Sequence, residues 1–257
     1  MKNIAFFILG IVLFSNTTFA QLKPVKYNDG AQVLNGFQIQ PMKKSLQKPG
    51  ILILPAWKGI DKHAKTTAET LAKLGYYAFV ADIYGAGNYP KDNAEAGQKA
   101  GFYKTNYKEY QKRISLALEQ LIKSGANPNN IVIMGYCFGG TGALEAARAQ
   151  LNIKGVASFH GGLGKDASRS TEPINAKVLV CHGADDPYES KEEITAFQQE
   201  MRDTKADWQM IYYANAVHSF TDPDAGNDNS KGAAYNEKAD KRSFEHFKIF
   251  LNEVLKK

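Results

Sequence analysis

Between Ile131 and Gly142 the chain reads Ile-Val-Ile-Met-Gly-Tyr-Cys-Phe-Gly-Gly-Thr-Gly. A β-rich apolar run ends in Gly135-x-Cys137-x-Gly139, and a helical pattern follows to about Ala149. A strand that turns straight into a helix must bend sharply at one residue. Glycines two positions before and after it remove the Cβ atoms that would strike strand and helix. The residue at the bend then projects alone, and here it carries a thiol. Glycines beside a cysteine also suit plain tight packing, but strand, bend and helix stand in the order that a nucleophile elbow requires. The start of the helix adds partial positive charge, which favours the thiolate of Cys137.

The rest of the chain supplies a framework for that elbow. Short apolar runs alternate with longer helical patterns, as in crossover units on a mostly parallel central sheet with helices on both faces. Strands are expected at 51–54, 77–81, 131–134, 155–159, 177–181 and 208–213, and helices at about 63–74, 107–123, 139–149, 189–202 and 241–255. Val33-Leu34-Asn35-Gly36-Phe37 sets an Asn-Gly pair between apolar residues, which predicts an antiparallel hairpin turning at Asn35-Gly36. With no repeat and no linker in 257 residues, one α/β domain over 21–257 follows.

On such a framework an acid and then a histidine follow the nucleophile, each on a loop after a later strand. Asp185 and Asp186 both end the strand at 177–181. Asp186 stands in the common His-Gly-x-x-Asp spacing and is the preferred acid; Asp185 would brace the turn as an Asx residue. Chain order selects the base among five histidines. His63 precedes the thiol, His182 belongs to a strand end, and His246 lies in the closing helix. His160 ends the strand at 155–159, where it either lines the pocket or packs as a structural residue. His218, 32 residues past Asp186 and just beyond a strand, fits the general base. The donors for a developing oxyanion are expected from the backbone N–H of Phe138 and from Trp57, in the loop after 51–54. Tyr84, Tyr136, Tyr188 and Phe220 lie near these positions as candidate pocket walls. The polar segment 221–232 reads as a mobile rim beside His218; it lacks the spacing and terminal glutamate of a calcium loop.

Gly-Tyr-Cys-Phe-Gly-Gly, His-Gly-Ala-Asp-Asp-Pro-Tyr and Val-His-Ser-Phe, in that order, resemble the dienelactone hydrolase family of the α/β-hydrolase fold, over about Gly30 to Val254. The resemblance implies a carboxylic ester or lactone hydrolase working without metal or organic cofactor, with Cys137, Asp186 and His218 as its triad. Two departures bear on substrate. The family's glutamate after the first core strand is replaced in Ala56-Trp57-Lys58, and its arginine after Asp-x-Tyr in Asp82-Ile-Tyr84-Gly85-Ala86. Dienelactone itself is therefore not the expected substrate, and Lys58 is a candidate for the missing cation. Without that glutamate, Cys137 should stand more often as a thiolate paired with imidazolium. Acyl transfer or peptide cleavage by the same triad is the alternative, as is a binding protein on a hydrolase scaffold.

Residues 1–20 differ in kind. Lys2, the apolar run Ile4–Phe14 and Thr18-Phe19-Ala20 read as a signal peptide cleaved after Ala20, too short in its apolar part to span a bilayer. The expected product is an exported protein, periplasmic or secreted, monomeric, with no stable membrane insertion. An oxidising compartment permits a bond between Cys137 and Cys181, the two cysteines, but the elbow needs its sulfur free, so both are expected as thiols. The net charge of +6 comes from 32 basic residues scattered among 26 acids, which excludes the clustered basic face of a nucleic-acid binder.

Overall fold

The computed structural model describes residues 21–256, so the expected signal segment lies outside the described residues. Eight strands form one sheet in the order β1-β2-β4-β3-β5-β6-β7-β8. They are β1 (Lys23–Asp29), β2 (Gln32–Ile39), β3 (Gly50–Leu54), β4 (Tyr77–Val80), β5 (Ile131–Tyr136), β6 (Gly155–Phe159), β7 (Lys177–Gly183) and β8 (Trp208–Tyr213). From β4 to β8 the pairing is parallel, while β1 and β2 run antiparallel at one edge.

The central strands are buried on both faces, which explains their continuous apolar runs. In β3, Leu52 and Leu54 enter one core layer and Ile51 and Ile53 the other, following the strand's alternation. Helices α1 (Lys62–Lys73) and α6 (Glu237–Val254) close the second layer. The first layer lies under α2 (Asn93–Thr105), α3 (Tyr107–Lys123), α4 (Phe138–Arg148) and α5 (Lys191–Asp203). The chain passes from β4 on one side of β3 to β5 on the other, so β3 and β5 flank the switch in strand order where α/β sheets place their sites.

The hairpin forms with a different turn. The chain reverses at Gly30-Ala31, between Asp29 and its partner Gln32, and Asn35-Gly36 lies inside β2. Gly36 serves packing there: a Cβ at this position would stand 2.5 Å from the Phe79 ring. Helix α2 escapes the sequence reading because only Ala96, Ala100 and Tyr103 are buried, too few to mark an apolar stripe. Helix α6 starts at Glu237, four residues before the expected start, because the Asn236 side chain caps it by accepting from the Ala239 N–H.

Candidate active site

The sharp bend after β5 falls at Cys137, whose φ of 53° is in the left-handed region that a side chain normally avoids. Strain of about 1–3 kcal/mol is typical of such a residue and is held by its surroundings. The glycines leave those surroundings no slack. A Cβ on Gly135 would lie 2.0 Å from the Gly139 carbonyl oxygen, and one on Gly139 would lie 2.1 Å from that of Leu54. The first turn of α4 therefore sits directly on the end of β3, which brings the start of the loop Pro55–Trp57 against Gly139, two residues after Cys137.

His218 and Asp186 arrive from the ends of β8 and β7. His218 Nε2 lies 3.0 Å from Cys137 Sγ, and His218 Nδ1 lies 2.9 Å from Asp186 Oδ2. The carboxylate is buried, and its other oxygen accepts from the Tyr188 N–H at 3.0 Å. Asp185 is exposed, and of the two acids it is Asp186 that His218 bonds. The base of segment 221–232 is fixed by two backbone bonds, His218 N–H to Gly232 and Ala234 N–H to His218. Two short 3-10 turns occupy the segment, and it leans on Tyr188, whose hydroxyl lies 3.5 Å from the Lys231 carbonyl.

The electrostatics follow from this geometry. Burial alone pushes the Cys137 thiol up, but the hydrogen bond and charge of His218, the Phe138 N–H and the charge of Lys104 outweigh it, so the thiol titrates below its usual range. Burial opposes protonation of His218, yet its bonds to Asp186 and Cys137 prevail and raise it. The pair favours thiolate and imidazolium. The Trp57 N–H has no hydrogen-bond partner among the described residues, while its carbonyl accepts from Tyr84 Oη at 2.7 Å, which fixes the orientation of that stretch of backbone.

The expected pocket walls divide. Tyr188 is exposed at the rim, and Lys58 is exposed on the loop after β3. Tyr84 is buried beneath the site, stacked on Phe138 at 5.8 Å. Phe220 and His160 are buried, and Tyr136 lines a cavity between α1 and α6, with His63 and Thr221. Tyr136 is directed toward α1, with Thr67 Oγ1 at 3.1 Å and the His63 ring at 4.4 Å, because a residue next to the elbow on a strand points to the opposite face. Phe220 is fully buried. His160 is 2% exposed, hydrogen-bonded to Thr221 Oγ1 at 2.8 Å and set against the His218 ring at 5.3 Å, so it is the structural histidine of the two readings. His246 packs on Tyr213 Oη at 2.8 Å. Cys181 is buried and both cysteines are free thiols.

Three further residues gather beside the elbow with no motif to mark them: Lys104 of α2, Thr141 of α4 and Glu189. Glu189 accepts from the Leu163 N–H at 2.9 Å, and its carboxyl is pushed up to about 7, chiefly by burial.

A thiol, an imidazole and a carboxylate at the C-terminal ends of the parallel strands β5, β8 and β7, on this sheet order, define an α/β-hydrolase. The comparisons narrow the class. A family model described as the dienelactone hydrolase family matches residues 34–255. A solved structure of a dienelactone hydrolase-like promiscuous phosphotriesterase from metagenomic libraries is 35% identical, with a TM-score of 0.86, and is covered over 92% of this chain and 99% of its own. A Bradyrhizobium protein described as a probable 2-oxo-3-(5-oxofuran-2-ylidene)propanoate lactonase is 28% identical over 67% of this chain and 73% of its own length. A putative carboxymethylenebutenolidase of Escherichia coli is 23% identical over 72% of each. The chain belongs to the dienelactone hydrolase family.

Proposed function

We propose that the protein is an exported, monomeric, cysteine-dependent hydrolase of carboxylic esters or lactones, matured by cleavage after Ala20. The observation that carries this reading is the unbroken chain from Cys137 Sγ through His218 to the buried Asp186, at 3.0 and 2.9 Å. The thiolate of Cys137 attacks the substrate carbonyl carbon, forming a C–S bond and an oxyanion. The N–H groups of Phe138 and Trp57 receive that charge, which is commonly the largest catalytic contribution. Collapse breaks the bond to the alkoxy group, and His218 gives it the proton. Water then loses a proton to His218 and attacks the thioester; the carboxylic acid departs and the thiolate returns. Asp186 holds the tautomer that presents Nε2 to sulfur and stabilises the imidazolium.

The names of the relatives support lactones and esters, and that of the structural neighbour makes a phosphotriester a useful added probe. The test is a chromogenic ester and lactone panel on protein beginning at Gln21, beside Cys137→Ala. The reading requires turnover that this variant loses by a factor of a thousand or more, with acid and alcohol as products; transfer to added amines or alcohols instead would make the protein an acyltransferase. Export is checked separately by the N-terminal mass of the processed protein.

A further inference from the structure

Gly162 sits in the loop after β6, one residue before the Leu163 N–H that holds Glu189. The position that a Cβ would take on Gly162 is ringed by polar atoms from three elements: Thr141 Oγ1 at 3.1 Å, Lys104 Nζ at 3.3 Å and Glu189 Oε1 at 3.4 Å. Thr141 is 5% exposed and its hydroxyl has no hydrogen-bond partner, which is costly for a buried polar group. It stands one helical turn along α4 from the nucleophile, its N–H bonded to the Cys137 carbonyl at 3.2 Å. One turn is about 5.4 Å, within reach of a substrate held at the sulfur. Lys104 is exposed and close enough to lower the Cys137 thiol.

The three atoms select a ligand by their chemistry. Lys104 can only donate, the Thr141 hydroxyl does either, and a carboxyl at Glu189 accepts when ionised. An alcohol hydroxyl accepts from Lys104 or Thr141 while donating to Glu189. A carboxylate would meet Lys104 favourably but set its charge against Glu189. Resting on the hydrolase reading above, we infer that Lys104, Thr141 and Glu189 form a subsite for a substrate hydroxyl, so that the preferred ester or lactone carries an alcohol group a few bonds from the reacting carbonyl. The Thr141 hydroxyl is buried, so entry requires side chains around it to move, of which the exposed Lys104 is the freest.

The experiment compares para-nitrophenyl butanoate with its β-hydroxy counterpart and with the para-nitrophenyl half-ester of succinate, and, for the alcohol side, ethyl with hydroxyethyl butanoate. One net hydrogen bond to the hydroxyl should favour a hydroxylated member over its plain partner by about tenfold in kcat/KM, carried mainly by KM. Thr141→Val, close in shape, should bring that ratio near one, and Thr141→Ser should restore it. Lys104→Met, on the outside of α2, reduces the same ratio and serves if the valine variant fails to fold. Equal wild-type rates within both pairs, a preference for the succinate half-ester, or a ratio unmoved by Thr141→Val and Lys104→Met would overturn the subsite while leaving the hydrolase intact. Absence of any Cys137-dependent ester turnover would overturn the hydrolase reading, and the subsite with it.

Discussion

Cys137 Sγ and His218 Nε2 lie 3.0 Å apart, and each shifts the other's titration toward the charged pair. The thiol is lowered and the imidazole raised, so between those two values the thiolate faces imidazolium. Alkylation of Cys137 by iodoacetamide should switch on as pH rises through the lowered thiol value, with an inflection below about 8.5, the unperturbed value. In His218→Ala burial, the largest influence on the thiol, is opposed only by the Phe138 N–H and Lys104, and the inflection should move up from the wild-type position. A wild-type inflection at or above the unperturbed value would contradict the ion pair.

The two neighbouring aspartates should separate in kinetics. Asp186 is buried and bonded to His218, whereas Asp185 is exposed. Asp186→Asn keeps the shape but removes the charge and favours the wrong tautomer, and a loss of about three to four orders of magnitude in kcat follows. Asp185→Asn should stay within twofold of the wild type. Similar losses in both variants, measured on one ester, would mean that the acid has been misassigned.

The meeting of Cys137, Asp186 and His218 was legible because chain order is itself a constraint: on this fold a nucleophile, an acid and a histidine come in that order, each after a strand end, here β5, β7 and β8, so Asp186 and His218 could be picked by position. What could not be read depends on which way a side chain faces. Tyr136 and His160 stand beside motif residues yet are buried behind the site, and Asn35-Gly36 has turn chemistry yet is held in β2 by the Phe79 ring. Lys104, Thr141 and Glu189 are brought together by three different elements, and no local pattern marks a convergence of that kind. Helix α2 was missed for another reason: its buried positions Ala96, Ala100 and Tyr103 keep helical spacing, but two alanines and one tyrosine are too little apolar bulk to stand out.

A buried ion network fastens the loop that carries Gly162. Arg148 of α4 pairs with Glu200 at 2.7 Å and Glu145 at 3.0 Å and donates to the Leu163 carbonyl at 2.8 Å. Arg169 grips both oxygens of Glu145 at 2.8 Å and lies 3.6 Å over the Tyr107 ring. Removing Arg148 leaves the buried Glu200 with only Lys165 at 3.6 Å and Glu145 with only Arg169, and losing one partner of a buried ion network costs about 3–5 kcal/mol. Arg148→Met should therefore melt about 10 °C lower. Burial pushes the Glu145 carboxyl up, but Arg169 and Arg148 more than reverse it, leaving it below the usual range. A lowered carboxyl contributes stability that is present above its unfolded value, about 4.3, and lost as pH falls through the folded one. The melting gap between wild type and Arg148→Met should thus narrow in acid below that range; a constant gap would remove the network from the explanation.

Two glycine substitutions should move stability in opposite directions. Gly139 has no room: an added Cβ would meet the Leu54 carbonyl oxygen at 2.1 Å and that of Pro55 at 2.7 Å, both backbone atoms unable to rotate away. Gly139→Ala must push α4 off the end of β3, and because the loop carrying Trp57 begins there, the displacement reaches the proposed oxyanion donors as well as the fold. A shift of about 1 Å in such a site costs on the order of a hundredfold in rate. Gly101, in the exposed interior of α2, has nothing within 4 Å of the new atom, so Gly101→Ala should gain about 0.5–1 kcal/mol from helix propensity alone. Thermal melts and ester kinetics on both variants check the pair. Normal activity in Gly139→Ala would show that the contact between elbow and β3 does not position the site.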